Sequence, residues 1–325
     1  MASVGMFGKV PTFGDFVSLG TGTPGYRQFE RWLQDSNDTI VERGQELQPL
    51  GFMIRHEDTR SLLVGILVGS VDSVGRSFPL SLFYEIADEG VSLAGMPPAL
   101  GPDLARLASV ARKARVRAPE EVRSLVEGMA LPSDKDVAIR SHAQLNRLRI
   151  VTAEMMLQRA FGAGPSPHYG SEVILRACEL ASERRSGAPL ILEGRAGTDV
   201  ELMFLLASVD AMSGGRQPVA VLWEVRSRRA LFVLGPPDAR LLSLMVSENE
   251  ADRLWPMWTD RPEVAERSRE QLPAACRELV DAPGGVSAKD FLDSMAVACK
   301  PRSQQPAPPE GKQRQRQGKW QSRVP

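Results

Sequence analysis

The sequence predicts an α/β protein of the α+β kind, in which a mostly antiparallel or mixed central sheet is covered by flanking helices. The first observation is that apolar, strand-like segments follow one another in hairpins, at residues 50–86 and again at 218–235. The second is that much of the region between them carries apolar residues every three or four positions, the spacing of helices with one buried face. Strands that come in hairpins, without regular strand–helix–strand alternation, favour antiparallel pairing.

The sequence pattern of the N-terminal part predicts one strand, one helix and a three-stranded meander. The strand "VGMFGKV" ends at "PTFGDF", because Pro11 lacks an amide donor and Gly14 permits positive φ. The stretch "YRQFERWLQDSNDTIVER" places Phe29, Trp32 and Leu33 at helical spacing. The segments "LGFMIR", "SLLVGILVGS" and "FPLSLFYEI" then predict three strands in succession, and the second is apolar on both faces, which is typical of a central strand.

The C-terminal part predicts helices followed by a smaller α/β region. Helical spacing continues through "AQLNRLRIVTAEMMLQRAF" and "SEVILRACELASERR", and "APLILEG" then predicts a strand. A helix over "DVELMFLLASVDAMSGG", a hairpin from "PVAVLWEV" to "RALFVLG" and a helix near "PDARLLSLMV" complete it. We therefore predict an N-terminal α/β domain at 1–135, a helical and α/β region at 136–299 and a disordered basic tail at 300–325.

Composition limits the classes of function. The formal net charge is zero over 325 residues, but from position 300 onward seven basic residues face one acidic residue, so the remainder has a formal net charge of about −6. An acidic body disfavours nucleic-acid binding by the fold. Three scattered cysteines fit a reducing cytoplasm, and the longest apolar run, 62–71, is about half the length that a membrane-spanning helix needs. We expect a cytoplasmic protein that does not insert into membranes.

No motif in the sequence supports catalysis. A phosphate-binding loop around Lys9 would need glycine at position 3 and a hydroxyl at position 10, where Ser3 and Val10 stand, so Lys9 is interpreted as a surface cation or a loop tether. The three histidines, His56, His142 and His168, lie outside any metalloprotease or nucleophile motif. We expect no enzyme activity, no cofactor and no metal site.

Two further motifs have both a structural and a functional interpretation. Thr198 and Asp199 in "GRAGTDVE" could seat an anion, but an N-cap at the start of a helix is favoured. Trp255 and Trp258 are three residues apart, for which core packing is favoured over a partner-binding patch.

The segment "GSVDSVGRSFPLSLF", at 69–83, concentrates unusual residues between two strands. Gly75 can adopt a backbone conformation that other residues resist, and Pro79 leads into the next strand. Arg76 offers a planar fork of five donors, and Asp72, like Asp15 after Gly14, can accept bonds from backbone amides. A pair between Arg76 and either Asp15 or Asp72 would tie the N-terminal segment to the meander. The alternative is a polar cluster exposed to a protein partner or a small anion.

The ordered motifs resemble the TagF family, also called ImpM, of accessory proteins of bacterial type VI secretion systems. The resemblance covers about 5–82 and rests on three groups of residues. These are Gly5, Gly8, Lys9, Pro11, Gly14, Asp15 and Phe16; Trp32, Leu33 and Gln34; and Ser70, Val71, Asp72, Val74, Gly75, Arg76, Phe78, Pro79 and Leu80. The family usually has proline where Gly69 stands here.

The resemblance implies a non-enzymatic regulator that represses assembly of the secretion system after translation. Its implied partners are a scaffold protein with a forkhead-associated domain and other components of the system. The implied fold has longin-like or profilin-like character in the N-terminal part. Two other hypotheses stay open: a phosphate- or nucleotide-responsive switch or enzyme using Asp15, Asp72 and Arg76, and a purely structural adaptor of the apparatus.

Overall fold

The strands come from both the N-terminal and the C-terminal parts of the chain. The computed structural model describes residues 3–42, 47–56, 60–162, 169–183, 189–213, 219–225, 229–235, 237–246, 255–257 and 282–298, to which all statements below apply. The strands in these ranges are β1 (Ser3–Lys9), β2 (Phe16–Leu19), β3 (Leu50–His56), β4 (Ser61–Val68), β5 (Leu80–Ala87), β6 (Leu190–Arg195), β7 (Val219–Glu224), β8 (Arg229–Leu234) and β9 (Trp255–Pro256).

The helices within the described residues divide into a long one before the meander, a series after it and a C-terminal group. They are α1 (Pro24–Glu42), α2 (Met96–Ala99), α3 (Gly101–Ala114), α4 (Pro119–Glu127), α5 (Asp134–Leu145), α6 (Ala153–Phe161), α7 (Tyr169–Glu183), α8 (Asp199–Ser213), α9 (Leu241–Val246) and α10 (Ala288–Ala298). Short 3-10 helices span Asn146–Arg149 and Pro283–Gly285.

All of these strands belong to one sheet with the order β2-β1-β5-β4-β3-β7-β8-β6-β9. Neighbouring strands are antiparallel, except that β9 runs parallel to β6. The two parts of the chain join where β3 pairs with β7, with Phe52 opposite Leu222. The predicted α+β class, with a mostly antiparallel sheet and flanking helices, is confirmed.

Helices cover both faces of the sheet, because alternate side chains of each buried strand point to opposite sides. On one face, Phe52 of β3 and Leu63 of β4 share a core with α1 and α9. On the other face, Met53 and Leu62 pack into a core that includes α6, α7, α8 and α10. At the β1 end, α3 and α4 pack over β1, β4 and β5 in a third cluster. The result is a three-layer arrangement with the sheet in the middle.

The meander and the C-terminal hairpin are confirmed as antiparallel β3–β4–β5 and β7–β8 pairs. Helix α1 also forms where predicted. The continuous helix predicted over 143–161 is wrong: α5 ends at Leu145 and α6 begins only at Ala153. The Thr152 hydroxyl accepts the Met155 amide at 3.3 Å, so a side-chain cap begins a new helix at a position where periodicity alone indicated continuity. Strand β2 was not predicted, since it is only four residues long.

Several sequence predictions concern parts of the chain outside the described residues. The basic tail at 300–325 and Trp258 lie there, as does the side chain of Trp255. The division into 1–135 and 136–299 stays a prediction, and strands from both segments contribute to the same sheet. None of the described helices combines the length and the apolar character that crossing a bilayer requires.

Candidate functional site

The two segments singled out in the sequence meet at one end of the sheet. Because β1 pairs with β5, with Phe7 opposite Ser81, the turn that follows β1 lies beside the loop that precedes β5. Gly8 has a φ of +140°, and a Cβ at this position would lie 2.2 Å from the Pro79 carbonyl oxygen. Only glycine permits the two backbones to approach this closely. The β1–β2 turn and the β4–β5 loop are therefore held in contact.

Asp72 is the centre of the contact. Its Oδ2 accepts from Lys9 Nζ at 2.9 Å and from Arg76 Nε at 2.7 Å. Its Oδ1 accepts from the Val74 amide at 3.0 Å and the Arg76 amide at 2.8 Å. A carboxylate has about four lone-pair sites, so four donors use its acceptor capacity. We name Lys9, Asp72 and Arg76 the latch.

Lys9 and Asp72 are removed from solvent, whereas Arg76 is not. The side chains of Lys9 and Asp72 are 7% and 0% exposed, and that of Arg76 is 59% exposed. Arg76 Nη2 also donates to the Gly14 carbonyl oxygen, so the guanidinium spans the β4–β5 loop and the β1–β2 turn. The pairing of Arg76 with Asp72 is thus present, and Lys9 is a loop tether rather than a surface cation.

The environment of Asp72 stabilises its charged form. Burial by itself would raise the pKa of Asp72, but hydrogen bonds from Lys9, from the Arg76 amide and guanidinium and from the Val74 amide outweigh burial. They hold the pKa of Asp72 well below its ordinary value. Asp72 therefore stays an ionised acceptor at any pH near neutrality, which suits a structural anchor rather than a proton-transfer group.

The loop that carries Asp72 has its own backbone bonds. Val71 and Ser77 form an antiparallel bridge, and the Phe78 amide donates to the Ser70 carbonyl oxygen at 3.0 Å. The Gly75 amide donates to the Asp72 carbonyl oxygen at 3.1 Å. Gly75 turns the chain back with a φ of +88°, as the sequence predicted from the need for positive φ.

Aromatic rings pack beneath the latch. Phe7 and Phe16 are stacked at 5.3 Å between centroids, and Phe78 meets Phe16 edge-on at 4.8 Å. Lys9 Nζ lies 5.2 Å from the centroid of the Phe16 ring, within the range of a cation–π contact. These contacts explain why an aromatic residue stands at Phe16 although its side chain is partly exposed.

The remaining predicted residues have separate surroundings. Asp15 does not pair with Arg76; its Oδ1 accepts the amide of its neighbour Phe16 at 2.8 Å. Trp32 lies away from the latch on α1, and its Nε1 donates to the Asp238 carbonyl oxygen at 3.0 Å. Pro11, Ser70 and Pro79 line a groove of about 540 Å³ that adjoins the loop, together with Ile40, Val41, Phe78 and Arg115.

Sequence reasoning missed the contribution of the link between α3 and α4. Thr12 Oγ1 donates to the Arg117 carbonyl oxygen at 2.6 Å, which brings the α3–α4 link beside the β1–β2 turn. Residues 112–117 read "RKARVR", and this local concentration of cations is the signal that could have drawn attention to the link.

Among the residues that the structure describes, no group of three histidine, cysteine or acidic side chains has a geometry suited to a metal ion. At the predicted cap of α8, Thr198 Oγ1 accepts the Glu201 amide at 3.3 Å, so Thr198 acts as the N-cap. Glu201 in turn accepts the amide of Gly197, the residue before the cap, at 2.6 Å.

Comparisons with known proteins give a family match for the N-terminal part of the chain. Residues 5–118 match the family model of the TagF N-terminal domain, described as type VI secretion system-associated. None of the curated proteins compared with the chain matches it. A solved structure, that of PA0076 from Pseudomonas aeruginosa PAO1, is 20% identical over 43% of this chain and 78% of that chain, with a TM-score of 0.33.

Proposed function

From the match of residues 5–118 to the type VI secretion system-associated TagF N-terminal domain, we propose that this protein is a non-enzymatic repressor of secretion-system assembly. It acts after translation, in the cytoplasm, by binding a scaffold protein that carries a forkhead-associated domain. The family match is the observation that carries this proposal. It contains all three members of the latch.

The geometry supports binding rather than reaction. The Asp72 carboxylate is enclosed and accepts four internal donors, so its charge is used to hold two loops in register. Loops that are fixed from within can present their outer side chains to a partner with little ordering cost on binding. The latch is accordingly a support for a docking surface.

Repression by binding requires no broken bond. A protein that binds one state of the scaffold more tightly than another shifts the assembly equilibrium by that difference in binding free energy. The magnitude of repression then depends on the concentration of the protein and on its differential affinity.

The phosphate- or nucleotide-responsive switch has weaker support. A bound phosphate would require Arg76 to leave Asp72 or to contact both, whereas Arg76 already donates to Asp72 and to the Gly14 carbonyl oxygen. Asp15 bonds its own neighbour and does not converge with Asp72 and Arg76 on one point.

The experiment measures binding and secretion with the full chain. Calorimetric titration with the forkhead-associated scaffold of the same secretion system is expected to show binding whose affinity is unchanged by ATP and Mg²⁺. Deleting the protein is expected to raise release of a secreted type VI substrate under repressing conditions. Nucleotide-dependent thermal stabilisation that is lost in Arg76→Gln would favour the switch, and normal secretion in the deletion strain would favour the structural adaptor.

A further inference from the structure

Three loops converge beside the latch and form one face of the molecule. Thr12 Oγ1 donates to the Arg117 carbonyl oxygen at 2.6 Å, and the Ser73 amide donates to the Phe13 carbonyl oxygen at 3.0 Å. These bonds join the β1–β2 turn to the α3–α4 link on one side and to the β4–β5 loop on the other. We name the surface made by residues 10–15, 69–79 and 112–118 the loop face.

The loop face exposes apolar side chains from all three segments. Val74 is 69% exposed and Val116 is 79% exposed, and Phe13 and Val71 are each about two-fifths exposed. A single exposed valine is ordinary on a protein surface. These four residues lie on three segments that hydrogen-bond to one another, and exposed apolar side chains grouped in this way are typical of interaction sites.

The same face is strongly basic. Its exposed cations are Arg76, Arg112, Lys113, Arg115 and Arg117, and its exposed carboxylate is Asp15. Arg117 is paired with Glu121 of α4, at 2.7 Å from Nη1 to Oε2, which leaves Arg112, Lys113 and Arg115 as the main source of positive charge at the end of α3. The chain before its tail has a formal net charge of about −6, so the face has the opposite sign to the body that carries it. A position near the C-terminus of α3 explains part of this charge, because cations there are favoured by the helix dipole. It does not explain the valines between them.

A concave groove continues the face. The groove of about 540 Å³ lies between the loop face, which contributes Val71, Phe78 and Arg115 among other residues, and the apolar side chains of Ile40 and Val41 on α1. Apolar side chains can therefore be buried next to a basic rim. A groove of this shape fits an extended or helical protein segment better than it fits the plane of a lipid bilayer.

We infer that the loop face and its groove are the docking surface for an acidic protein segment that carries apolar side chains. Carboxylates of the segment meet the cations at the end of α3, and its apolar side chains cover the exposed valines and enter the groove. The inference rests on the proposed function and deepens it, since it assigns the surface and the chemistry of the partner. Complementary charge speeds association and makes it dependent on salt.

The test places a photo-crosslinking amino acid at Val74 of the full chain, in cells that carry the secretion system. A second version carries it at Ile150, an exposed apolar position on the 3-10 and α6 side of the molecule. Crosslinked peptides are identified by mass spectrometry. We expect the Val74 version to crosslink a segment of a type VI component with more acidic than basic residues, at a yield at least tenfold above the Ile150 version.

Matched charge variants test the chemistry. Lys113→Glu with Arg115→Glu is expected to lower the crosslink yield at Val74 by at least tenfold. Lys135→Glu with Arg147→Glu, an equal change at exposed cations of α5 and the 3-10 helix, is expected to leave it unchanged. Circular dichroism of each purified variant checks that the fold is retained.

Several results would overturn the inference: crosslinks to a neutral or basic segment, to a second copy of this chain or to phospholipid, no yield above the Ile150 version, or equal effects of the two charge pairs. The outcome is separable from that of the proposed function. If the crosslink to an acidic segment depends on charge but deletion of the protein leaves secretion unchanged, the docking surface is supported and the proposed repression is contradicted. If deletion raises secretion but no such crosslink forms, the proposed repression is supported and the docking surface is contradicted.

Discussion

Lys9 and Asp72 are 63 residues apart in the chain, and in the fold the lysine Nζ lies 2.9 Å from the aspartate Oδ2. The lysine ends β1 and the aspartate lies in the loop before β5, so the pair joins the first strand to the meander. Both side chains are enclosed. Removing one partner of a buried pair leaves the other charge uncompensated, and this is why the pair matters for stability.

Replacing Lys9 tests the pair directly. Lys9→Met is expected to lower the free energy of unfolding by about 3 kcal/mol, the lower end of the range for a broken buried pair, because Arg76 still compensates Asp72. Arg76→Gln removes a largely exposed partner and is expected to cost only ~1 kcal/mol. Urea denaturation followed by tryptophan fluorescence measures both variants. If the two variants lost equal free energy of unfolding, the prediction that the buried Lys9–Asp72 pair stabilises the fold more than Arg76 does would be wrong.

The pH dependence of stability follows from the sign of the Asp72 shift. The pKa of Asp72 is lower in the folded chain than in the unfolded chain, so its contribution is fully present above the unfolded pKa, about 4. That contribution is lost as pH falls below about 4 towards the depressed folded pKa. Urea midpoints measured between pH 6 and pH 2 are expected to fall less steeply in Asp72→Asn than in the unaltered protein. Parallel curves would show that Asp72 does not carry the acid dependence.

Alanine substitutions at three glycines distinguish the cost of a positive φ from the cost of a clash with neighbouring backbone. Gly8→Ala is expected to destabilise the fold by about 3 kcal/mol or more, because positive φ and a clash with the Pro79 carbonyl oxygen act together. Gly75→Ala keeps only the positive φ and is expected to cost ~1 kcal/mol. Gly22→Ala has open space and is the control, with a change within about 0.5 kcal/mol. Thermal unfolding should rank the variants in this order.

Trp32 links distant parts of the chain through one hydrogen bond. Its Nε1 donates to the Asp238 carbonyl oxygen across 206 residues, so Trp32→Phe is expected to lower the free energy of unfolding by about 1–2 kcal/mol. Hydrogen exchange is expected to increase in α9 as well as in α1, because the bond ends just before α9. Exchange that increases in α1 alone would show that the bond does not couple the two helices.

The sequence predicted the local elements of the N-terminal part well. The apolar segments at 50–86 form a meander because strands that follow one another along the chain pair as neighbours, with four residues between β3 and β4 and eleven between β4 and β5. The prediction failed at 143–161, where the Thr152 cap divides a helical pattern that periodicity alone reads as continuous.

Within the candidate site, the sequence indicated what each residue type could do, but it did not indicate which residues would be in contact. Motif residues such as Asp72, Gly75 and Arg76 were recognisable from their types, because a carboxylate, a flexible backbone and a guanidinium fork each suit one task in a tight loop. The sequence did not indicate that Arg76 would pair with Asp72 and not with Asp15. That pairing depends on where the β1–β2 turn lies relative to the β4–β5 loop.

The sequence by itself determined the class of the fold, the meander and the positive φ of Gly75, but not that of Gly8, and it carries the match of residues 5–118 to the TagF N-terminal domain. The tertiary structure alone decided that Lys9 faces Asp72, that β3 pairs with β7, and that the α3–α4 link joins the β1–β2 turn. The physical reason is distance along the chain. Local elements follow from neighbouring residues, whereas contacts between distant segments follow from the packing of the whole sheet.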